Sequence, residues 1–557
     1  MRTGTSVIIL ALFSAFLFLV GLGAMPLTDP DETFYAETAK EMLDRGEILT
    51  PYIFGKPQFE KPPLYYWLVM ASFKMFGVNE FSARFPSAAA GVFGVIGVYL
   101  LGSALVNRKT GFLAGIVLAT CVQYLVLSRG CVTDILLGVT TLYAFLFFFY
   151  AYLSEYGKTK WYLLSAACLG LAVLTKGPVG FLLPAAVIIL YLLFTGEFRR
   201  LKEIPVFRGA VIFLIIALPW YVLMYMGHGM KFLDVFFGFH NIVRFLHPEH
   251  SSGDVFYYYA PIIAAGFLPW TIFLPMGIWQ SLREKAPAIK KTNLFILLWF
   301  LVITVFFSIS RTKLPTYVFP AYPALALLSG RMWDAFSSGE FTRKMKIGMN
   351  VSAILLPAVM VVGAIASYLL MNYATVSNGI TKVRYPSAAF PALIAGLAFS
   401  ASIFFFSSAV LRRKYSLALT FLIISFVIFA VPLTYIILPR IGQYESSKAE
   451  AAKLLELAKP GERIGAETKY VRGVAFYTGI EDVLDVHPHH VITDFLDKKE
   501  RVWCLIKEKN HRQLYEDKEK PYHKPTYVVY RFGKKVIITN KMPEDGVFLK
   551  MRSEDES

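Results

Sequence analysis

Two clusters near the N-terminus hold the residues best suited to chemistry. The first, Asp29-Pro30-Asp31-Glu32, opens an amphipathic stretch that reaches Arg45. Tyr35, Ala39, Met42 and Leu43 recur there at helical spacing, and Gly46 closes it. Capping accounts for two of the acids: Asp29 suits the N-cap, Pro30 the first helical position and Glu32 the third. Asp31 has no such duty, although any acid there complements the helix dipole. A carboxylate held at the start of a capped helix could act as a general base or bind a cation. The second cluster is Phe59-Glu60-Lys61-Pro62-Pro63-Leu64-Tyr65-Tyr66-Trp67. It reads as a surface Glu–Lys pair ahead of an interfacial aromatic belt, or as a pair that two prolines turn toward a polar cavity.

Basic residues further along supply the opposite charge. Lys176 precedes the tight turn Gly177-Pro178 and either snorkels to the interface or meets an anion. Arg244, in Phe239-His240-Asn241-Ile242-Val243-Arg244-Phe245, carries a planar fork that matches phosphate oxygens. Arg311, Lys313 and Tyr317 lie together before a later apolar run, and Arg129 and Asp134 read as a local ion pair of little energy.

These residues must be positioned by elements that live in lipid. Of 557 residues 56% are hydrophobic and 17% charged, where a soluble domain is nearer one quarter charged. Apolar stretches near 5–24, 86–106, 110–128, 133–153, 161–176, 177–195, 206–227, 256–280, 292–310, 314–330, 347–371, 386–411 and 415–438 predict an α-helical polytopic membrane protein of about thirteen spans. The run Val7–Leu22 after Met1-Arg2 is read as an uncleaved first span rather than a signal peptide, because with its flanks it is long enough to cross hydrocarbon. The domain organisation expected is a transmembrane domain over 1–439, with an outer loop at 25–85, and a small α/β domain over 440–557. In the latter, Val502–Ile506, Thr526–Tyr530 and Val536–Thr539 read as strands and Ser446–Lys459 as a helix.

The net charge of +17 comes largely from short Lys/Arg clusters between apolar runs, the pattern of positive-inside loops rather than of a nucleic-acid binder. With a cytoplasmic N-terminus, Arg108 and Lys109, Lys158 and Lys160, Arg199 to Arg208, Arg283 to Lys291, Arg331 to Lys346 and Arg412 to Lys414 all fall inside. The acids fall outside: Asp29, Asp31, Glu32, Glu37, Glu41, Asp44, Glu47, Glu60 and Glu80 in the first outer loop, then Asp134, Asp234, Glu249 and Asp254. Carboxylates gathered on one face suggest a reaction or metal site. The four cysteines, Cys121, Cys131, Cys168 and Cys504, form no CxxC pair. His487-Pro488-His489-His490 reads as a polar turn, since no thiol or spaced acid completes a metal set.

The segments Pro26-Leu27-Thr28-Asp29-Pro30-Asp31-Glu32-Thr33-Phe34-Tyr35-Ala36-Glu37 and Glu60-Lys61-Pro62-Pro63-Leu64-Tyr65-Tyr66-Trp67 resemble the opening of the aminoarabinose lipid A transferases, relatives of the protein O-mannosyltransferases in the GT-C superfamily. The resemblance implies an inverting membrane glycosyltransferase. Its sugar would come from a polyprenyl-phosphate donor and pass to a lipid A-type, polysaccharide or protein acceptor on the extracytoplasmic face of the bacterial inner membrane. By the same resemblance Asp31, Glu32, Glu60 and Lys61 are the catalytic candidates, with Asp31 foremost. Tyr35, Asp134, Lys176, Arg244, Arg311, Lys313 and Tyr317 are the substrate and phosphate contacts. It also implies a histidine ligand to a divalent cation before Arg-Phe. With Arg244 aligned, Asn241 takes that place and His240 stands beside it, so Glu60 and His240 are the metal ligands on offer. The chain departs from the family at Phe34, where those enzymes carry arginine, and at Gln58, where they carry tyrosine. A transporter or flippase of a lipid-linked sugar is the rival class, since intramembrane polar residues and broken helices suit both, but transporters usually show repeats and midplane charges.

Overall fold

The computed structural model describes residues 3–247, 255–373, 385–487, 489–516 and 522–542. Glu249, Asp254 and Pro488 lie outside the described residues, as do the side chains of Asn241 and His489. The chain is an α-helical polytopic membrane protein with one small sheet near its C-terminus. Backbone groups in hydrocarbon must pair within their own segment, so the long apolar runs become helices. Seven described helices are long and apolar enough to cross a membrane, or nine if each bent pair is one span. Thr3–Leu19 and Val179–Phe194 are apolar but shorter. Lys158–Lys176 carries three lysines, and Tyr322–Ser338 is only 17 residues long and carries Arg331 and Asp334, so neither enters that count.

Two of the predicted spans are broken. Arg108–Ala119 and Val122–Ser128 meet at 68°, and Phe256–Gly266 and Trp270–Arg283 at 111°. The breaks satisfy one another. Val122 N–H donates to the Leu268 carbonyl at 3.2 Å, and Trp270 Nε1 donates to the Thr120 carbonyl at 3.1 Å. Close packing elsewhere depends on missing side chains: a Cβ at Gly102 would lie 2.8 Å from the Gly111 Cα. The last spanning helix does not stop at Pro439. It runs from Tyr415 to Glu445 through a π-helical turn at Leu433–Ile437.

The outer loop folds as the helix Asp31–Asp44, a two-residue hairpin (Tyr52–Ile53 with Lys56–Pro57) and the helix Leu64–Phe76. Phe34, Tyr35, Ala39 and Met42 form its inner stripe and pack on Tyr65, Tyr66, Val69 and Phe73. The helix is not capped as the sequence suggests. Pro30 occupies the N-cap without a side-chain cap, and Asp29 instead accepts from Thr33 Oγ1 at 2.8 Å and from Ser447 N–H at 2.7 Å.

The C-terminal sheet has the order Leu484–Asp485, Arg463–Ala466, Val502–Lys507, Lys535–Thr539, Tyr527–Phe532. The first three strands are parallel and the last three antiparallel. This unit sits on the outer loop: Leu27 N–H donates to Tyr477 Oη at 2.7 Å, and Lys448 pairs with Glu80 at 2.6 Å. The predicted inner loops meet at the other end of the bundle, where Lys109 and Asn107 reach Asp334, Lys158 reaches Glu203, and Lys291 and Arg200 share Glu197. The two ends therefore differ in chemistry.

Candidate active site

Beneath the outer loop lies a cavity of about 470 Å³. Its polar end is lined by Glu60, Lys61, Lys176, His240 and Arg244, and its apolar walls include Val179, Leu182, Phe245, Leu246, Phe306 and Phe307. Leu182 and Leu246 are each 54% exposed, so the apolar end opens on the lipid-facing surface. Four charged residues from three distant segments, with His240, thus share one hollow.

Each polar residue is held by its own element. The double proline stops the chain before Leu64–Phe76 and turns Glu60 and Lys61 inward. Gln58 steadies this corner: its amide donates to Tyr66 Oη at 2.8 Å, and its oxygen accepts the Glu60 N–H at 3.0 Å. Lys61 is half-buried; desolvation and then the Lys176 charge pull its pKa down to about 8, against the pull of Glu60. Lys176 ends its helix, hydrogen-bonds Asp134 Oδ1, and lies 4.5 Å from the Tyr317 ring centroid. His240 and Arg244 flank the end of a π-helical segment, Asp234–Val243, with His240 Nδ1 3.4 Å from Arg244 Nη1.

The segment after Ser310 bends and then turns at Pro315–Val318 without forming a strand, so its side chains follow no simple alternation. Ser310, Thr312 and Tyr317 line the cavity, whereas Arg311 is exposed and Lys313 is buried, both off the lining. Arg311 meets its surroundings through its backbone N–H, which donates to the Phe245 carbonyl at 3.0 Å. Ser310 and Thr312 are the contacts that sequence reasoning missed, and strict alternation from Tyr317 would not have found them.

Asp31 stands outside the lining, exposed at the start of its helix, with no hydrogen bond or ion pair to any described residue. Desolvation and the Asp134 and Glu32 charges raise its pKa, while Arg472 and Lys469 pull it down. Asp134, paired with Lys176, therefore links Asp31 to the cavity. Tyr35 is buried behind this line, its hydroxyl 3.4 Å from Thr133 Oγ1 and its ring edge-on to Tyr65.

Glu32 is not positioned for chemistry. Both its oxygens are taken by Arg84 at 2.7 Å, by Cys131 N–H at 2.8 Å and by Thr28 at 2.9 Å. Burial pushes its pKa up, but Arg84 outweighs this and holds the carboxyl below the usual range. A buried bidentate pair of this kind ties the loop helix to the spanning helix Glu80–Leu105. Arg129 likewise makes no pair with Asp134. It donates to the carbonyls of Leu17, Phe18, Val20 and Gly21, closing the C-terminal end of the first helix. Other loop acids are also committed to structure: Glu41 to Arg45 and Gly55 N–H, Glu47 to Leu49 N–H, Glu80 to Lys448.

Glu60 and His240 do not make a fit home for a divalent cation. No third His, Cys, Asp or Glu joins them among the described residues, and Arg244 crowds His240 Nδ1. Three cations on the same lining oppose a fourth positive charge.

The sequence model of the dolichyl-phosphate-mannose-protein mannosyltransferases matches residues 60–223. An uncharacterised protein of Aquifex aeolicus is 33% identical over 365 residues, which is 64% of this chain and 68% of that one. The undecaprenyl phosphate-alpha-4-amino-4-deoxy-L-arabinose arabinosyl transferase of Yersinia enterocolitica is 32% identical over 358 residues, and the match spans 63% of each chain. This is less than two thirds of that transferase's length. The crystal structure of ArnT from Cupriavidus metallidurans bound to undecaprenyl phosphate superposes with a TM-score of 0.78 at 22% identity, covering 97% of this chain and 99% of that one, and so shares its fold. The chain thus belongs to one family with the uncharacterised Aquifex aeolicus protein, resembles the arabinosyl transferases and the mannosyltransferase model in sequence, and shares the ArnT fold.

Proposed function

We propose that the chain transfers a sugar from a polyprenyl-phosphate donor to an acceptor of the cell envelope, with inversion at the anomeric carbon. The observation that carries this reading is the cavity itself: cations gathered at one end, apolar walls open to lipid at the other. A phosphate headgroup fits the first and an isoprenoid tail the second. The acceptor oxygen bonds to the anomeric carbon while the bond from that carbon to the phosphate oxygen breaks, and the leaving phosphate keeps the electron pair. Lys61, Lys176 and Arg244 stabilise that developing charge, in a pocket where water is scarce and such contacts are worth kilocalories. Lys176 trades part of its hold on Asp134 for the phosphate. Asp31 takes the proton of a hydroxyl acceptor, its raised pKa bringing it closer to the working pH of a base.

The named activity of the Yersinia enterocolitica relative, and the undecaprenyl phosphate in the Cupriavidus metallidurans structure, support a donor of this class. We place the chain in the bacterial inner membrane, with the membrane part expected over 1–439, extended here through Glu445 to the end of the last span, as the transferase domain, and the unit that follows as a periplasmic domain. The basic loops at the far end of the bundle support that orientation. The test is transfer of radiolabelled sugar from polyprenyl phosphate by the purified chain. Asp31→Asn is expected to lower the rate by about 10²- to 10⁴-fold with donor binding retained. Membranes that translocate the lipid and never form a glycosylated product would overturn the reading in favour of transport.

A further inference from the structure

A hollow of about 530 Å³ lies toward the basic end of the bundle, away from the candidate active site. It runs between the helix Leu274–Arg283, the second half of a broken span, and the helix Arg343–Tyr373. Met276 and Trp279 stand on one wall, and Gly348, Val351 and Leu355 on the other. The walls approach closely because Gly348 has no side chain: a Cβ there would lie 3.2 Å from Met276 Sδ. Val351 and Leu355 are 46% and 48% exposed, so the hollow is a groove open to hydrocarbon and not a sealed void.

One end of the groove is charged. Lys344 lines it one helical turn before Gly348. Arg283 stands four residues beyond Trp279, one turn along the same face of the opposing helix. Both are exposed, and among the described residues neither makes an ion pair. The nearest acids are taken: Glu284 by Arg331, and Asp334 by Lys109, Asn107 and Thr110. Glu340, in the link before Arg343–Tyr373, sets one negative charge against Arg343, Lys344 and Lys346. A cationic surplus remains at the rim.

Depth and charge together select the occupant. From Lys344 to Leu355 the helix rises about 16 Å, about half of a hydrocarbon core about 30 Å thick. That is the reach of one leaflet, and Trp279 stands near the rim, where indoles favour the headgroup boundary. A zwitterionic headgroup would bring its own ammonium against Lys344 and Arg283. An anionic one brings only the phosphodiester that they match.

We infer that this groove binds one anionic glycerophospholipid, its phosphodiester held by Lys344 and Arg283 and an acyl chain lying over Gly348 between Met276 and Leu355. The lipid fastens the half-span Leu274–Arg283 to the helix Arg343–Tyr373. This site goes beyond the transferase reading and holds without it; only the assignment of the lipid to the inner leaflet rests on the orientation proposed above.

The experiment uses the full chain, delipidated in detergent and titrated with phosphatidylglycerol or phosphatidylcholine of identical acyl chains. Native mass spectrometry counts retained lipid, and thermal unfolding reads the stabilisation. The wild type is expected to retain one phosphatidylglycerol at least about tenfold better than phosphatidylcholine, and to unfold at a higher temperature with the anionic lipid alone. Lys344→Gln combined with Arg283→Gln is expected to erase that preference; both positions are exposed, so the fold is kept. Val351→Trp fills the groove from its open side and is expected to abolish retention with every charge intact. Arg412→Gln, at the same end of the bundle and off the groove, is expected to change neither reading. Equal retention of the two lipids by the wild type, a preference that survives the double variant, or retention that survives Val351→Trp overturns the inference. So does an equal loss in Arg412→Gln, which marks diffuse attraction to the basic face.

Discussion

Lys61 carries a pH signature that separates a working cation from a bystander. Burial and the Lys176 charge bring its pKa to about 8 in the free protein, so the ammonium is present below that pH and lost as pH rises through it. If it holds the donor phosphate, kcat/KM for the donor falls above about pH 8. Lys61→Arg does not titrate there and is expected to flatten that limb of the profile; a limb unchanged in the variant assigns it to another group. Glu32 makes the contrasting case. Breaking a buried, hydrogen-bonded pair from one side costs about 3–5 kcal/mol, so Glu32→Ala or Arg84→Ala is expected to lower the unfolding temperature in detergent sharply. The folded fraction of Glu32→Gln retains far more activity than Asp31→Asn. Part of this is legible in the sequence. Glu60 and Lys61 are followed by two prolines, which restricts where they can point. Nothing local reveals that Glu32 meets Arg84, 52 residues away, because a capping acid and a buried ion-pair acid look alike in sequence.

At the scale of elements, apolar length makes the helices easy to locate, since a continuous apolar run of about twenty residues pairs its own backbone in hydrocarbon only as a helix. Their breaks are harder to see. The stretch 256–280 is apolar throughout, yet it turns by 111° after Gly266. Pro269 removes one donor, but the turn persists because Trp270 and Val122 supply partners from and to another broken helix. Those contacts join residues about 150 apart and leave no local pattern. Trp270→Phe keeps a six-membered aromatic ring but removes the donor to Thr120 and part of a buried indole, which is expected to cost at least about 1–3 kcal/mol, the penalty of an unpaired buried carbonyl. Thermal unfolding of the detergent-solubilised protein measures it. In the C-terminal unit the strands rich in β-branched residues are readable. Arg463–Ala466 and Leu484–Asp485 are too short to show alternation.

Across the whole molecule, the outer loop and the C-terminal unit form a joint closed over buried acids. Asp29, desolvated at that joint, has its pKa raised to about 7. An acid raised on docking binds its proton more tightly in the docked form, so docking strengthens as pH falls from about 7 toward the ordinary carboxylate value, and that contribution is lost as pH rises back through about 7. Limited proteolysis of the full chain is expected to cut near Ser446 faster at pH 8 than at pH 6, and Asp29→Asn is expected to remove most of that difference. Gly473 is part of the same joint. A Cβ there would collide with Asp29 and Ser447, so Gly473→Ala should open it at every pH.

The exposure of Leu182 and Leu246 at the cavity's apolar end has an economic consequence for substrate choice. Isoprene units that trail past those two leucines remain in hydrocarbon before and after docking, so they add nothing to the difference between the two states. Recognition then belongs to the headgroup and the first few units, and donors of very different chain length are expected to share one KM.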